Sequence, residues 1–175
     1  PPSNEDFEYF QKQASVSPLS PDPYVHMGEI AFTQKDFQKA SENFHMASTL
    51  DPKNAETFLR YIESLLRQRK IIEAGQAMKE NKTHTPELDL YRGYIALYLN
   101  ERETGETLLK RLSSEHPDLS GKISPLLEAL EEFKSTTDGK IEYLQTLLAK
   151  AFDEVSQYEL ALGLALDAIK SRDDY

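Results

Sequence analysis

Apolar residues in the stretch from Tyr24 to Pro52 recur with the period of two consecutive α-helices. The first helical face contains Tyr24, Met27, Gly28 and Ala31, and the second contains Phe37, Ala40, Phe44 and Ala47. Gly28 lowers helix propensity by about 1 kcal/mol relative to alanine, so we expect it to leave room for a partner-helix side chain such as Phe44. Pro52 ends the second helix because proline lacks an N–H group.

The same arrangement returns between residues 55 and 86. Its first face contains Phe58, Tyr61, Ile62 and Leu65, and its second contains Ile71, Ala74 and Met78. The interval from Ala40 to Ala74 equals the interval from Pro52 to Pro86. Because small, large and proline positions recur in one register, we interpret the stretch as a sequence repeat.

This order of positions resembles the tetratricopeptide repeat (TPR), a helix–turn–helix unit of about 34 residues. The resemblance implies an all-α fold, a right-handed α-solenoid of antiparallel helix pairs. It also implies that the first helix of each pair lines a concave groove, which receives an extended or helical segment of another protein. The alternative is an ordinary amphipathic hairpin in some other helical fold.

The remaining segments fit the repeat less well. Residues 88–117 predict a degenerate third repeat, whose small positions we assign to residues 104–107 in the absence of a clear alanine. The resulting division is a partly extended leader at 1–23, repeats 1–3 at 24–117, an extra helix at 118–137 and a TPR-like C-terminal capping hairpin at 138–175.

Local signals suggest how the extra helix and the last hairpin begin. Ser120 and Gly121 indicate a turn, and Ser124 followed by Pro125 is typical of a helix N-terminus. In the last hairpin, Ala161 and Ala168 have the spacing of Ala40 and Ala47. The same register places Ala165 where a bulky residue is usual, which suggests a tighter or partly exposed end.

The leader predicts a short helix over residues 4–14 with Asn4 as its cap. Three prolines, at Pro18, Pro21 and Pro23, predict an extended segment after it. The leader either packs against the first repeat or is the tail of a longer chain, and the sequence leaves both open.

The charge and the cysteine content argue against several classes of function and site. The formal net charge is −10, from 30 acidic and 20 basic residues, which argues against non-specific nucleic-acid binding and docking on an anionic membrane. The chain has no cysteine, which excludes disulfides and zinc–thiolate sites. Its apolar runs are too short to span a bilayer. We therefore expect a cytoplasmic protein, although Pro1 in place of a starting Met suggests a fragment that has lost a signal or an anchor.

Motifs for catalysis or metal binding are missing from the sequence. The four histidines form no metal-helix motif, and the chain has neither a phosphate-binding glycine loop nor a nucleophile elbow. We therefore predict no enzyme activity, no metal and no cofactor.

The TPR resemblance places a set of residues on the concave face. These partner-binding candidates are His26, Glu29, Phe32, Leu59, Arg60, Glu63, Leu66, Arg67, Arg92 and Leu99. We expect Arg60, Arg67 and Arg92 to hold a carboxylate or an acidic stretch of the partner, because the guanidinium fork binds carboxylates bidentately. The alternative is that Arg67 only complements the negative C-terminal end of its helix.

The leading prediction is a non-enzymatic interaction module, a scaffold or assembly factor. A chaperone-tail receptor is disfavoured, since Val25 and Glu29 occupy the positions where such repeats carry a lysine and an asparagine. Three alternatives remain: a small chaperone that shields a client segment, a regulatory fragment of a larger and membrane-anchored protein, and a homo-oligomer that stacks through the alanine-rich last hairpin.

Overall fold

The structure, a computed structural model, describes residues 3–137 and 139–173. These residues form ten α-helices and one short 3-10 turn, with no β-strand in either described range. The predicted all-α, solenoid-type class is confirmed. The chain divides into two compact units, Pro1–Leu88 and Asp89–Tyr175.

Unit 1 is a series of sequentially packed helices. They are α1 (Asn4–Val16), α2 (Asp22–Thr33), α3 (Phe37–Leu50), α4 (Ala55–Arg67) and α5 (Ile71–Glu80). Helix α2 packs against α1 and α3, and α4 packs against α3 and α5.

Unit 2 begins within the next helix along the chain. Its elements are α6 (Pro86–Tyr98), α7 (Arg102–Glu115), a 3-10 turn (Pro117–Leu119), α8 (Ser120–Ser135), α9 (Ile141–Glu154) and α10 (Tyr158–Asp173). Helix α8 packs against α7 and α9, and α9 packs against α10.

One turn conformation occurs four times and identifies the helix pairs. The non-glycine residues with positive φ in the described ranges are Lys35, Arg69, Asn100 and Ser156, with φ between 58° and 62°. In each turn, the residue after the positive-φ residue donates its N–H to the carbonyl five residues before it. In the first turn, the Asp36 N–H donates to the Ala31 carbonyl at 2.9 Å. The four turns join α2 to α3, α4 to α5, α6 to α7 and α9 to α10.

These turns have the repeat spacing inferred from the prolines of the first two repeats. The interval from Lys35 to Arg69 matches the predicted repeat length, but Asn100 follows Arg69 after a shorter interval. Pro86 is the first residue of α6, whereas Pro52 lies in the turn between α3 and α4. The two prolines therefore have different structural roles. Proline is well tolerated at the first helical position, because the N–H group there has no hydrogen-bond partner within the helix.

Small residues set the distance between paired helices in unit 1. A Cβ atom on Gly28 would lie 2.7–2.9 Å from the Phe44 ring, so the glycine is required by the close approach of α2 and α3. The other repeat positions are also in the core, with Ala40, Ala47, Ala74 and Met78 buried. Tyr24 is half-buried, and its hydroxyl donates to the Pro18 carbonyl at 3.3 Å.

Unit 2 has a glycine, Gly93, in the position of Gly28 and a second glycine, Gly105, in the position of the missing alanine. A Cβ on Gly93 would meet the Leu109 side chain, and one on Gly105 would meet the Leu97 side chain. Leu109 lies as far along the chain from Gly93 as Phe44 lies from Gly28. The predicted slot at residues 104–107 thus contains the small residue, which is Gly105.

Helix α8 starts at Ser120, five residues before the predicted first helical residue, Pro125. Ser120 and Gly121 are helical, and Pro125 lies inside the helix instead of at its start. The first turn is held from outside, because Ile123 is fully buried and the Tyr94 hydroxyl donates to the Lys122 carbonyl at 2.7 Å. Burial raises the pKa of Tyr94, which keeps this donor protonated. The stabilisation from these tertiary contacts therefore exceeds the cost of the backbone hydrogen bond that Pro125 cannot donate.

The leader packs against the first repeat through α1. The cap of α1 is Ser3, whose backbone N–H donates to the Asp6 carboxylate at 2.7 Å while its hydroxyl accepts from the Asp6 N–H. The predicted cap, Asn4, is the first helical residue, and its side chain lies outside the described part of the chain. Pro23 lies within the first turn of α2, so the non-helical segment is confined to residues 17–21.

The last helix pair consists of α9 and α10, and one face of α10 is buried. Leu160, Leu164 and Ala168 are buried, whereas Ala161 and Ala165 are half-buried. These two alanines thus remain partly accessible to solvent.

We predict that Lys35→Gly stabilises the protein by up to about 1 kcal/mol, because glycine adopts positive φ without the Cβ penalty. Lys35→Val is expected to destabilise it, since β-branched residues are strained there. Thermal unfolding measures both changes, with Lys35→Ala as the control for the lost charge. Equal stability of the glycine and valine variants would contradict the assigned backbone conformation.

A second prediction concerns the glycine slots. Gly28→Ala should destabilise the protein by about 1–3 kcal/mol, because the buried Phe44 ring has no room to move away. Gly121 is also helical but has no neighbouring atom within 4 Å of a Cβ position, so Gly121→Ala should be neutral or stabilising. Urea titration of the two variants tests the contrast, and a stabilising Gly28→Ala would refute the close approach.

Candidate functional site

Four of the predicted partner-binding residues form one cluster in unit 1. Arg60 of α4 donates from Nε and Nη2 to the two Glu29 carboxylate oxygens of α2, at 2.8 and 2.6 Å. Its Nη1 donates to Glu63 Oε2, one turn along α4, at 2.8 Å. The Arg60 guanidinium also lies 4.0 Å from the centroid of the Phe32 ring. We call Glu29, Phe32, Arg60 and Glu63 the α2–α4 cluster.

The cluster joins helices of two successive repeats. The hydrogen bonds that Arg60 donates to Glu29, and then to Glu63, raise the pKa of Arg60, against the opposing effect of burial. Only 26% of the Arg60 side chain is exposed, which limits screening by water and strengthens the pairing. Two carboxylates surround one guanidinium, so the cluster carries a net negative charge.

This geometry corrects the predicted role of Arg60. The fork that we expected to hold a partner carboxylate is already held bidentately by Glu29, and one of its faces is covered by Phe32. A partner carboxylate would have to displace Glu29 or approach two like charges. Arg60 therefore acts as a clamp between α2 and α4.

The other candidates in unit 1 have different environments. His26 is exposed and stacks on Phe10 of α1, with ring centroids 4.4 Å apart, so it contacts the leader helix. Leu66 is 5% exposed and belongs to the core, which removes it as an apolar contact for a partner. Leu59, the residue before Arg60 on α4, is half-buried, and Arg67 is exposed with its guanidinium 5.8 Å from the Phe37 ring centroid.

The two candidates in unit 2 lie on or just after α6. Arg92 Nη1 pairs with Asp89 Oδ1 at 2.5 Å, and Arg111 of α7 approaches the other Asp89 oxygen at 3.4 Å. Asp89 is 6% exposed and contacts both arginines. Arg92 is therefore engaged within its own unit, like Arg60, and Leu99 is half-buried in the turn after α6.

A groove that the sequence did not indicate lies in unit 1 between α1 and α3. Its volume is about 820 Å³, and Tyr24 and Met27 of α2 contribute to its lining. Phe7 of α1 and Lys39 of α3 approach each other there, with Nζ 4.8 Å from the ring centroid.

A smaller cavity of about 430 Å³ lies in unit 2 between α7 and α8. Lys110 and Lys134 both pair with Glu106, at 2.6 and 2.5 Å, and these two bonds lower the pKa of the Glu106 carboxyl. Glu131 approaches the same two lysines. Charges in this cavity are thus balanced by neighbours in the same unit.

No group of three or more histidine, aspartate or glutamate side chains suited to holding a metal ion occurs within the described ranges. None of the helices described there combines the length and the hydropathy that crossing a bilayer requires.

Comparison with known proteins identifies the fold. No model of a protein family matches the sequence, and no curated protein matches it. The structure is similar to the crystal structure of YrrB, described as a TPR protein with an unusual peptide-binding site. The similarity covers 95% of this chain and 93% of that chain, with a TM-score of 0.55 and 16% sequence identity. The chain therefore has the tetratricopeptide-repeat fold, and the resemblance inferred from the sequence is confirmed at the level of the fold.

We predict that Arg60→Ala destabilises unit 1 by about 1–3 kcal/mol, because it leaves two neighbouring carboxylates without their shared cation. The double variant Arg60→Ala with Glu29→Gln should lose less than the sum of the single losses, since it also removes one of those carboxylates. Chemical denaturation measures all three proteins, and Lys53→Ala in an exposed loop is the control. Strict additivity would show that Glu29 and Arg60 do not interact.

Proposed function

We propose that the protein is a non-enzymatic interaction module that binds a peptide or a helix of another protein on the α2 and α4 side of unit 1. The observation that carries the proposal is the α2–α4 cluster, in which the Arg60 guanidinium lies over the half-buried Phe32 ring, 4.0 Å from its centroid. A preorganised apolar surface loses little entropy when a partner binds. The TPR fold supports this reading, because such repeats generally serve as interaction scaffolds rather than as catalysts, and the structural neighbour YrrB is described as having a peptide-binding site.

The charges of this surface restrict the partner. Arg60 is paired with Glu29 and Glu63, so apolar side chains of the partner would provide the main contacts, with Phe32 and Leu59 as their anchors. Arg67 is the exposed cation of the predicted set and the position at which an acidic residue of the partner would be recognised.

Peptide selection tests the proposal. A display library of random short peptides is panned on the wild-type protein and on Leu59→Glu, and the enriched peptides are compared. We expect Leu59→Glu to lose at least about tenfold in affinity for the selected peptides, because it places a charge among apolar contacts. Arg67→Glu should weaken only peptides that carry acidic residues.

The matched control is Ile72→Glu, which changes a 79% exposed apolar residue on α5. It should bind the selected peptides like the wild type, and thermal unfolding should show that all variants are folded. If Leu59→Glu retains the peptides and Ile72→Glu loses them, the binding surface is not on the α2 and α4 side.

A further inference from the structure

Helix α10 has two opposite apolar faces, of which only one is buried. Leu160, Leu164 and Ala168 are 1–6% exposed and lie in the core of unit 2. Tyr158, Leu162 and Ile169 are 57%, 47% and 56% exposed. A helix that is apolar on all sides is normally buried on all sides. In contrast, the exposed residues of α7 in the same unit are all polar.

The exposed residues have the spacing of a coiled-coil seam. Tyr158, Leu162, Ala165 and Ile169 are separated by four, three and four residues, and Ala165 is half-buried. This spacing aligns the four side chains in one stripe along the helix, which we call the α10 seam. No charged residue occurs between Glu159 and Asp167, so the centre of the seam contains only apolar residues.

We propose that the α10 seam binds the same seam of a second copy of this chain, with the two helices antiparallel. In that arrangement, Tyr158 opposes Ile169 of the second copy, and Leu162 opposes Ala165 of the second copy. A large residue thus meets a small one at the centre, and the contact closes on itself about a two-fold axis. A parallel pair would place alanine against alanine and leave a gap.

Charge complementarity also favours a second copy in the antiparallel orientation. Glu159 and Lys170 are eleven residues apart, close to three helical turns, and therefore lie on the same flank of α10. Antiparallel pairing brings Glu159 of each copy near Lys170 of the other, which gives two attractive pairs. Parallel pairing would place this flank of the two copies on opposite sides of the helix pair, so Glu159 would not approach Lys170 of the other copy. The helix dipoles are opposed only in the antiparallel pair.

The exposed area sets the strength of the contact. The three large side chains offer on the order of 300 Å² per copy, well short of the about 800 Å² that each partner contributes to a standard interface. The dimer is therefore weak, with dissociation in the micromolar range or above, and forms in concentrated solution.

Sedimentation of the full chain from about 10 μM to about 1 mM measures the association. We expect the mass of the wild type to rise to that of a dimer and then stop. Leu162→Glu should remain monomeric at the same concentrations, because it brings two charges together at the centre of the seam. Ile72→Glu on α5 is the control and should dimerise like the wild type. A wild type that stays monomeric, or that grows beyond a dimer, overturns the proposal.

Disulfide trapping tests the orientation, and it is unambiguous here because the chain has no cysteine. Tyr158→Cys and Ile169→Cys proteins are mixed and oxidised. The antiparallel pair predicts on the order of tenfold more mixed disulfide than a mixture of Ile72→Cys and Ile169→Cys, because the opposed cysteines have a high effective concentration. A product dominated by Tyr158→Cys homodimers, or equal yields from the two mixtures, overturns it.

The charge pair supplies a test that does not depend on the apolar residues. Glu159→Lys and Lys170→Glu each place like charges together and should weaken the dimer several-fold. The double variant restores both attractive pairs and should dimerise like the wild type. Failure of the double variant to recover, with thermal unfolding showing that it is folded, overturns the antiparallel register.

Discussion

The close approach of the two helices within each pair is the constraint on which this fold depends. In unit 1 the Phe44 ring occupies the space beside Gly28, and in unit 2 Leu109 occupies the space beside Gly93. A left-handed residue in the connecting turn fixes where the second helix begins, so the large side chain meets the small one. Because protein interiors are densely packed, a shift of either helix would open a void or produce a clash. The turn and the slot therefore work together, and the register of each hairpin follows from both.

Several charged residues that could have contacted a partner form ion pairs within the protein. Glu29 and Glu63 hold Arg60, and the buried Asp89 pairs with Arg92. Such groups lose hydration when they are partly buried, and the structure compensates for this with close opposite charges. Recognition on the α2 and α4 side therefore depends more on apolar shape than on charge. The net charge of −10 keeps the remaining surface acidic.

Helix content and the first two repeats follow from the sequence alone. The period of apolar residues is a local property, and the pairing of Gly28 with Phe44 was visible from their types and spacing. The alanines at 40, 47 and 74 are in the core because small residues at these positions are what a tight hairpin requires. Composition also excluded disulfides, since the chain has no cysteine.

Tertiary structure decided the features that depend on residues far apart in the chain. Arg60 and Glu29 are 31 residues apart, so no local pattern showed that the predicted carboxylate receptor was already occupied. Helix α8 continues through Pro125 because contacts from outside that helix, including Tyr94, hold its first turn. Proline spacing alone did not show that Pro86 is the first residue of α6 whereas Pro52 lies in the turn between α3 and α4. Sequence thus determined which residues prefer a helix and a core, whereas packing determined the partner of each charged side chain and the ends of the repeats.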